Sequence, residues 1–394
     1  MIQIENKAKC CGCTACYSIC PTKCILMVPD EEGFLYPLVE KEHCVDCHLC
    51  EKVCPIVNKM KTKNTPMAYV VQHKEKEILY HSASGGAYSA IGAVIIDKGG
   101  TVYGAGYTDR FFVEHMCAKS INELEKFRSS KYVQSRQRDS FVEIKGKLDQ
   151  NELICYSGTP CQVAGLKSFL GKEYKNLITV DLVCKGVASP EVLRQYVTLM
   201  EKKYNSEIVG INFKRKTYGY HSSTMSVDFI NGFSYSQGGI ADPMMRSFRA
   251  NICLRPSCGD CAFKGESRVS DLTLFDCWSY EKITGKKDND KGHTTVLVHS
   301  KKGAEILKES QVYATIESIN EKDAIALDGI MACSKVRFHP LRNEYMRILA
   351  SNGLVAAIDE TISVSKKELI MEFSKRFLYK TKLLNFVKRF SGRH

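Results

Sequence analysis

From Ala68 onward, short apolar runs alternate with longer amphipathic stretches. Ala68–Gln72 reads as a strand, and Ser84–Lys98 as a helix that opens on glycine. Thr101–Tyr107 and Val113–Lys119 read as strands and Phe141–Leu148 as a helix. Leu153–Tyr156 is a buried strand, Cys161–Leu170 a helix, Leu177–Val183 a strand and Pro190–Tyr204 a helix. Such alternation predicts a mixed α/β domain. Ile208–Phe213, Thr224–Ile230 and Phe233–Ser236 then form a more β-rich section, and Thr294–Val298 is a further strand.

The first 58 residues have a different texture, set by cysteine. Cys10, Cys13, Cys16 and Cys20 precede Pro21; 34 residues later Cys44, Cys47, Cys50 and Cys54 precede Pro55. The run C-x2-C-x2-C-x3-C-P is thus written twice. Three close thiolates hold one cluster and the fourth reaches the other. The expected pairing is Cys10, Cys13, Cys16 and Cys54 on one [4Fe-4S] centre, with Cys44, Cys47, Cys50 and Cys20 on the second. Zinc also takes four cysteines, but its sites use two C-x2-C pairs and have no need of a third step or of Cys-Pro. The prediction is an α+β dicluster ferredoxin domain over 1–58, joined by a polar, basic linker over 59–66 to the mixed α/β domain over 67–350.

Composition adds a compartment and a tail. Apolar residues make up 44% and charged residues 25%, as in ordinary globular chains. The start MIQIENKAKC lacks the apolar core of a signal peptide, and no apolar stretch is long enough to span a bilayer. A cytoplasmic, reducing compartment is expected, with the 19 cysteines serving metal rather than disulfides. The net charge is +12, but residues 366–394 hold nine Lys or Arg against two Glu. No nucleic-acid reading motif accompanies that charge, so no nucleic-acid partner is expected. Leu369, Phe373, Phe377, Leu384 and Val387 fall close to one helical face, interspersed with Lys375, Arg376, Lys380, Lys382, Lys388 and Arg389. This basic C-terminal helix suits peripheral contact with an anionic membrane surface, a docking partner, or packing of its apolar stripe on the domain.

A second set of cysteines lies beyond the linker. SGTPCQ (157–162) joins a strand to a helix, DLVCKG (181–186) ends a strand, and Cys258 and Cys261 form a C-x2-C inside RPSCGDCAFKGESRVSDLTLFDCW (255–278). Cys161 and Cys184 stand where parallel strands end, the usual place for sites on such sheets. On spacing alone, two readings stand: a third cluster, or buried cysteines acting as small hydrophobes.

From about Pro66 to about Ala350 the chain resembles the beta-subunit family of coenzyme F420-reducing hydrogenases and F420-dependent dehydrogenases. The matching motifs are SGGAYSA, RSSKYVQS, SGTPCQVAGLK, DLVCKGVASP and the LRPSC–C–R-x-SD–D-x-W segment. The resemblance implies a flavoprotein domain holding FAD beside a [4Fe-4S] cluster, whose ligands here would be Cys161, Cys184, Cys258 and Cys261. A ferredoxin module fused in front is familiar in that family. Where the family commonly has Gly-Asp-Phe-Trp-Gly, this chain reads Phe275-Asp276-Cys277-Trp278-Ser279, so a close backbone approach to a ligand has changed there.

With that resemblance in hand, Ser84, Gly85 and Gly86 before a helix become candidates for the FAD pyrophosphate. They lack the G-x-G-x-x-G spacing of a Rossmann site, and alone such a pair is a tight turn. Lys131, Tyr132 and Gln134 offer a charge, a ring and an amide, and Thr159 and Gln162 flank Cys161. Neither His81 nor His221 stands out as a catalytic acid.

The implied function is an iron–sulphur flavoprotein oxidoreductase moving electrons between an F420-like hydride carrier or substrate, FAD and three [4Fe-4S] clusters. Its partner would be a redox protein or a small electron carrier. Two alternatives are a reductase of another organic substrate in an organism without F420, and a non-catalytic electron-transfer subunit. No role is assigned to Cys11, Cys24, Cys117, Cys155, Cys253, Cys277 or Cys333. Cys155 and Cys253 are the nearest substitutes for the third-cluster ligands.

Overall fold

The alternation of runs becomes a single large sheet. The computed structural model describes residues 1–60 and 62–380. Its strands are β1 (Ile25–Pro29), β2 (Leu35–Val39), β3 (Met67–His73), β4 (Thr101–Tyr107), β5 (Val113–Ala118), β6 (Ile154–Ser157) and β7 (Leu177–Leu182). There follow β8 (Ile208–Arg215), β9 (Thr224–Phe229), β10 (Ser234–Gln237), β11 (Leu272–Asp276), β12 (Thr294–Val298) and β13 (Ala314–Ile319). The eight-stranded sheet has the order β13-β3-β12-β11-β7-β6-β4-β5. Its central pairs β4/β6, β6/β7 and β7/β11 are parallel, and antiparallel pairs complete both edges. Leu177–Asp181 of β7 is buried throughout, as expected for a strand covered on both faces.

Local signals position the helices that return from these strands. The helix Pro160–Leu170 starts on a proline at its first position. Gln162 Oε1 accepts from the Thr159 N–H at 2.9 Å, and Gly171 ends the helix at φ 68°. The helix Pro190–Tyr204 is capped by Ser189, whose hydroxyl accepts from the N–H groups of Glu191 and Val192. Its inner face, with Val192, Tyr196 and Met200, packs on the antiparallel sheet β10-β9-β8 through Phe213, Val227 and Phe229.

The cysteine-rich N-terminal part is a ferredoxin-like unit: a β1/β2 hairpin with the short helices Ala15–Ile19 and Leu49–Lys52. It is bolted to the main sheet rather than tethered. Arg342 Nη1 donates to Glu32 Oε1 at 3.0 Å while its Nε donates to Leu254 O at 3.0 Å. Tyr17 donates to Asp139 at 2.9 Å, and the Ser189 hydroxyl donates to Glu32 O. Asn64, on the expected linker, is itself pinned by Ser267 and Arg268.

The helix Lys366–Lys380 begins the basic tail, and Tyr379 packs against Tyr218 with centroids 4.9 Å apart. Leu384, Val387, Lys382, Lys388 and Arg389 lie outside the described residues, as do the side chains of Phe373, Lys375, Arg376, Phe377 and Lys380. Among the described residues, no helix is long and apolar enough to cross a membrane.

Candidate iron–sulphur centres

The duplicated sequence repeats in the backbone. Gly12 and Thr14 flank Cys13 with φ of 69° and 67°, and Asp46 and His48 flank Cys47 with φ of 48° and 57°. Such left-handed steps turn successive N–H groups inward and make concave sites for anionic groups, iron–sulphur clusters included. The N–H of Gly12 points at Cys10, that of Ala15 at Cys13 and that of Tyr17 at Cys16. Cys16 is pushed up to about 12 by burial and then by the neighbouring thiols of Cys10 and Cys54. Cys54 therefore stands with the first run, although it belongs to the second in sequence.

The reciprocal exchange occurs on the other side. A cavity of about 340 Å³ is lined by Cys20, Cys44, Cys47 and Cys50, with Cys24, Met1 and His48 at its walls. The Ile2 N–H donates to Cys50 Sγ at 3.3 Å. Burial works upward on Cys20, but hydrogen bonds with Thr22 and Cys24 outweigh it and lower its pKa. Both thiol sets therefore fit clusters in the crossed pairing, with an all-sulphur donor set and N–H groups aimed at sulphur, and the second set also lines a cavity. Among the described residues, no three His, Cys, Asp or Glu converge about one point as ligands of a single ion would.

The later cysteines also meet. Cys161, Cys184, Cys258 and Cys261 line a cavity of about 600 Å³ together with Cys11, Thr159, Arg255, Lys264 and Arg268. Cys161 sits in the first turn of the helix after β6, Cys184 two residues beyond β7, and Cys258 ends a short 3-10 turn. Burial pushes Cys184 well above the usual thiol range and Cys258 up to about 12. A hydrogen bond with Cys11, then burial, does the same to Cys161. The basic side chains offset the negative charge that four thiolates and a cluster bring, and Lys264 is held there by Cys184 O and Met331 O. This donor set also fits a cluster.

Cys11 and Arg255 join the sets, and spacing alone did not single out either. Cys11 lines the later cavity beside Cys161. Arg255, only 1% exposed, donates from Nε to Cys10 O at 2.9 Å and from Nη1 to Gln134 Oε1 at 2.6 Å. A side chain at Gly12 would collide with Gln134 and Arg255, so glycine is required between Cys11 and Cys13.

Each of the eight residues expected to touch FAD has a place in the fold. Thr159 lines the 600 Å³ cavity, and the buried Gln162 beside it donates to Ser135 Oγ at 2.9 Å. Ser84 bonds Thr294 across 2.7 Å, and the Gly85 N–H donates to Thr294 Oγ1 at 2.8 Å. Gly86 is the left-handed N-cap of the helix Ala87–Asp97. Lys131, lowered to about 7 by burial, donates to Arg128 O at 3.1 Å. Tyr132 stacks on Phe248 with centroids 4.5 Å apart, and Gln134 is taken by Arg255. His81 pairs with exposed Glu77, and His221 with Asp288.

Comparison with known proteins places this arrangement. Residues 151–323 match the family model for the C-terminal part of the coenzyme F420 hydrogenase/dehydrogenase beta subunit. Residues 9–57 match a 4Fe-4S dicluster domain. The later part of the chain thus carries the C-terminal domain of the coenzyme F420 hydrogenase/dehydrogenase beta subunit, and its N-terminus a ferredoxin domain. An uncharacterized ferredoxin of Methanocaldococcus jannaschii is 32% identical over 74 residues, covering 19% of this chain and 86% of that protein. A chain from the F420-reducing [NiFe] hydrogenase complex of Methanosarcina barkeri is 18% identical, with a TM-score of 0.46. That likeness covers 76% of this chain and 92% of the other.

The segment that departs from the family's pattern is tightly packed. Phe275 is buried, and the Ser279 N–H and hydroxyl both donate to Asp328. Asp276 accepts from Lys214 Nζ at 2.6 Å, and Trp278 stacks on Tyr220 at 4.2 Å. Cys155 and Cys253 are fully buried and take no part in the lining of the thiol cavity. Cys277 is equally buried, as its reading as a packing residue requires.

Proposed function

We propose that this chain is an iron–sulphur oxidoreductase in which three [4Fe-4S] centres form one electron path. The first, held by Cys161, Cys184, Cys258 and Cys261, belongs to the beta-subunit part, proposed to span 67–350. The next is held by Cys10, Cys13, Cys16 and Cys54, and the last by Cys20, Cys44, Cys47 and Cys50, both within a ferredoxin part proposed to span 1–58. When bound, such clusters supply one-electron transfer. The observation that carries the reading is that Arg255 and Cys11 line the cavity of the later thiols while Arg255 donates to Cys10 O at 2.9 Å, which brings the later thiol set against the earlier ones.

The chain's own residues hold and insulate the path. Thiolates fix the centres, the buried helix Pro160–Leu170 packs beneath Cys13, and Arg255, Lys264 and Arg268 offset negative charge. Cys47 is exposed and Val45 beside it is 66% exposed, which suits docking of a redox partner at the last centre. FAD and an F420-like hydride carrier enter through the family resemblance. The second reading is a relay subunit without its own flavin.

Anaerobic reduction of protein reconstituted with iron and sulphide, with and without FAD, separates the two. Bleaching by reduced coenzyme F420 that requires FAD, with NADH inert, supports the flavin-dependent oxidoreductase. Failure to bind FAD, with clusters that still exchange electrons with a reduced ferredoxin, supports the relay. Bleaching by neither donor despite bound FAD points to a different organic substrate.

A further inference from the structure

Arg255 is the largest side chain buried to under 2% exposure, and it stands between two of the three thiol sets. Its Nη2 lies 3.6 Å from Cys10 Sγ and donates to Leu35 O at 3.0 Å. Its guanidinium rests 4.2 Å above the Tyr36 ring and 5.4 Å from that of Phe34. Its other face lines the cavity of Cys161, Cys184, Cys258 and Cys261. Among the described residues its hydrogen-bond partners are two carbonyls, one amide oxygen and one thiol, with no carboxylate. A full positive charge is thus kept dry beside a cluster ligand.

The last thiol set has no such counterpart among the described residues. The sulphurs around its cavity receive the Ile2 N–H and the Thr22 hydroxyl, and the Met1 ammonium at its wall is paired with Asp46 and Glu51. Reduction adds one electron to a cluster and makes it more negative. A desolvated cation with an N–H on a ligand sulphur favours that reduced form, and charge and sulphur hydrogen bonds are known levers on cluster potential.

We infer that Arg255 raises the reduction potential of the centre at Cys10, Cys13, Cys16 and Cys54 above that of the centre at Cys20, Cys44, Cys47 and Cys50. This rests on the three-centre reading. One electron leaves the reduced Cys20 centre, which is oxidised, and enters the Cys10 centre, which is reduced; no bond forms or breaks. Arg255 is a positioning and potential-setting residue, since it touches a ligand rather than a substrate.

The test is a potentiometric titration of cluster-loaded protein followed by electron paramagnetic resonance, with the Cys20 centre as internal reference. Arg255→Gln is expected to shift the electron-sharing equilibrium between the two ferredoxin centres at least tenfold, about 59 mV for one electron, against the Cys10 centre. Arg255→Lys, which keeps the charge, restores at least half of that shift. Gln134→Glu leaves Arg255 in place but sets a carboxylate against it, and shifts the equilibrium the same way. An unmoved Cys10 potential in Gln134→Glu, or in an Arg255→Gln protein with full iron, overturns the role. Iron counting separates this from failure of the reading itself, in which wild-type protein lacks a centre at Cys10 and the proposal falls with it.

Discussion

Gly165 lies inside the helix Pro160–Leu170, where glycine ordinarily costs about 1 kcal/mol relative to alanine. Substitution by alanine is therefore stabilising unless something occupies the space. Here a Cβ at Gly165 would stand 2.6 Å from Cys13 Cβ and 2.9 Å from its Sγ. Cys13 cannot swing away, because its backbone sits between two left-handed residues and, in the proposed pairing, its sulphur holds the first ferredoxin centre. Overpacking of that kind costs about 1–3 kcal/mol, which cancels the helix gain or exceeds it. Gly165→Ala is expected to lose about 1 kcal/mol and to shed the Cys10 centre faster in air. Gly146 supplies the control: it lies in the helix Ser140–Asp149 with nothing within 4 Å of its Cβ position. Gly146→Ala should gain up to about 1 kcal/mol. Both can be read from anaerobic denaturant unfolding followed by cluster absorbance. A Gly165→Ala protein stabilised as much as Gly146→Ala, with unchanged cluster lifetime, would refute the docking of Cys13 on this helix.

Other consequences follow from the same contacts. Arg342→Met strands the half-buried Glu32 carboxylate and should cost about 3 kcal/mol, visible as faster proteolysis of the ferredoxin part. Asp242 is raised to about 6 by burial, against hydrogen bonds from Met245 N–H, Tyr196 and Tyr235. A raised carboxyl contributes stability that is fully present below its unfolded value and lost as pH climbs through about 6. The loss is on the order of 3 kcal/mol, and Asp242→Asn should flatten the decline in Tm from about pH 4 to about pH 6. Deleting residues 366–394 should reduce sedimentation with anionic vesicles if the tail is an anchor, at ~1 kcal/mol per basic residue near the lipid. Unchanged sedimentation assigns the helix Lys366–Lys380 to packing, as the Tyr379–Tyr218 contact already suggests.

Much of the large sheet was legible because buried strands are short apolar runs: Thr101–Tyr107 and Thr294–Val298 fall where the pattern puts them, as does the helix Pro190–Tyr204. Edge and polar strands were not. β13 carries Thr315, Glu317 and Ser318 on an exposed edge, and the β1/β2 hairpin was hidden inside the cysteine pattern. β11 was seen as a motif rather than a strand, since Thr273 and Asp276 interrupt its apolar run. Cysteine spacing revealed which thiols belong together locally, but not what lies between sets. Cys11 looked spare because it stands outside the three-residue step, and Arg255 looked like any basic residue before a proline. Their roles come from tertiary approach, for which Gly12 was the available hint: a residue with no side chain between two cysteines.

Whether twelve cysteines hold three clusters along one path is decided by counting metal. Iron and acid-labile sulphide should be measured in anaerobically reconstituted wild type, Cys161→Ser and Cys20→Ser, with Cys333→Ser as an exposed control. Three centres give about twelve irons in wild type and the control, and about eight in each ligand variant, with different resonances lost. About eight irons in wild type, unchanged by Cys161→Ser, would contradict the three-centre path and leave only the ferredoxin pair.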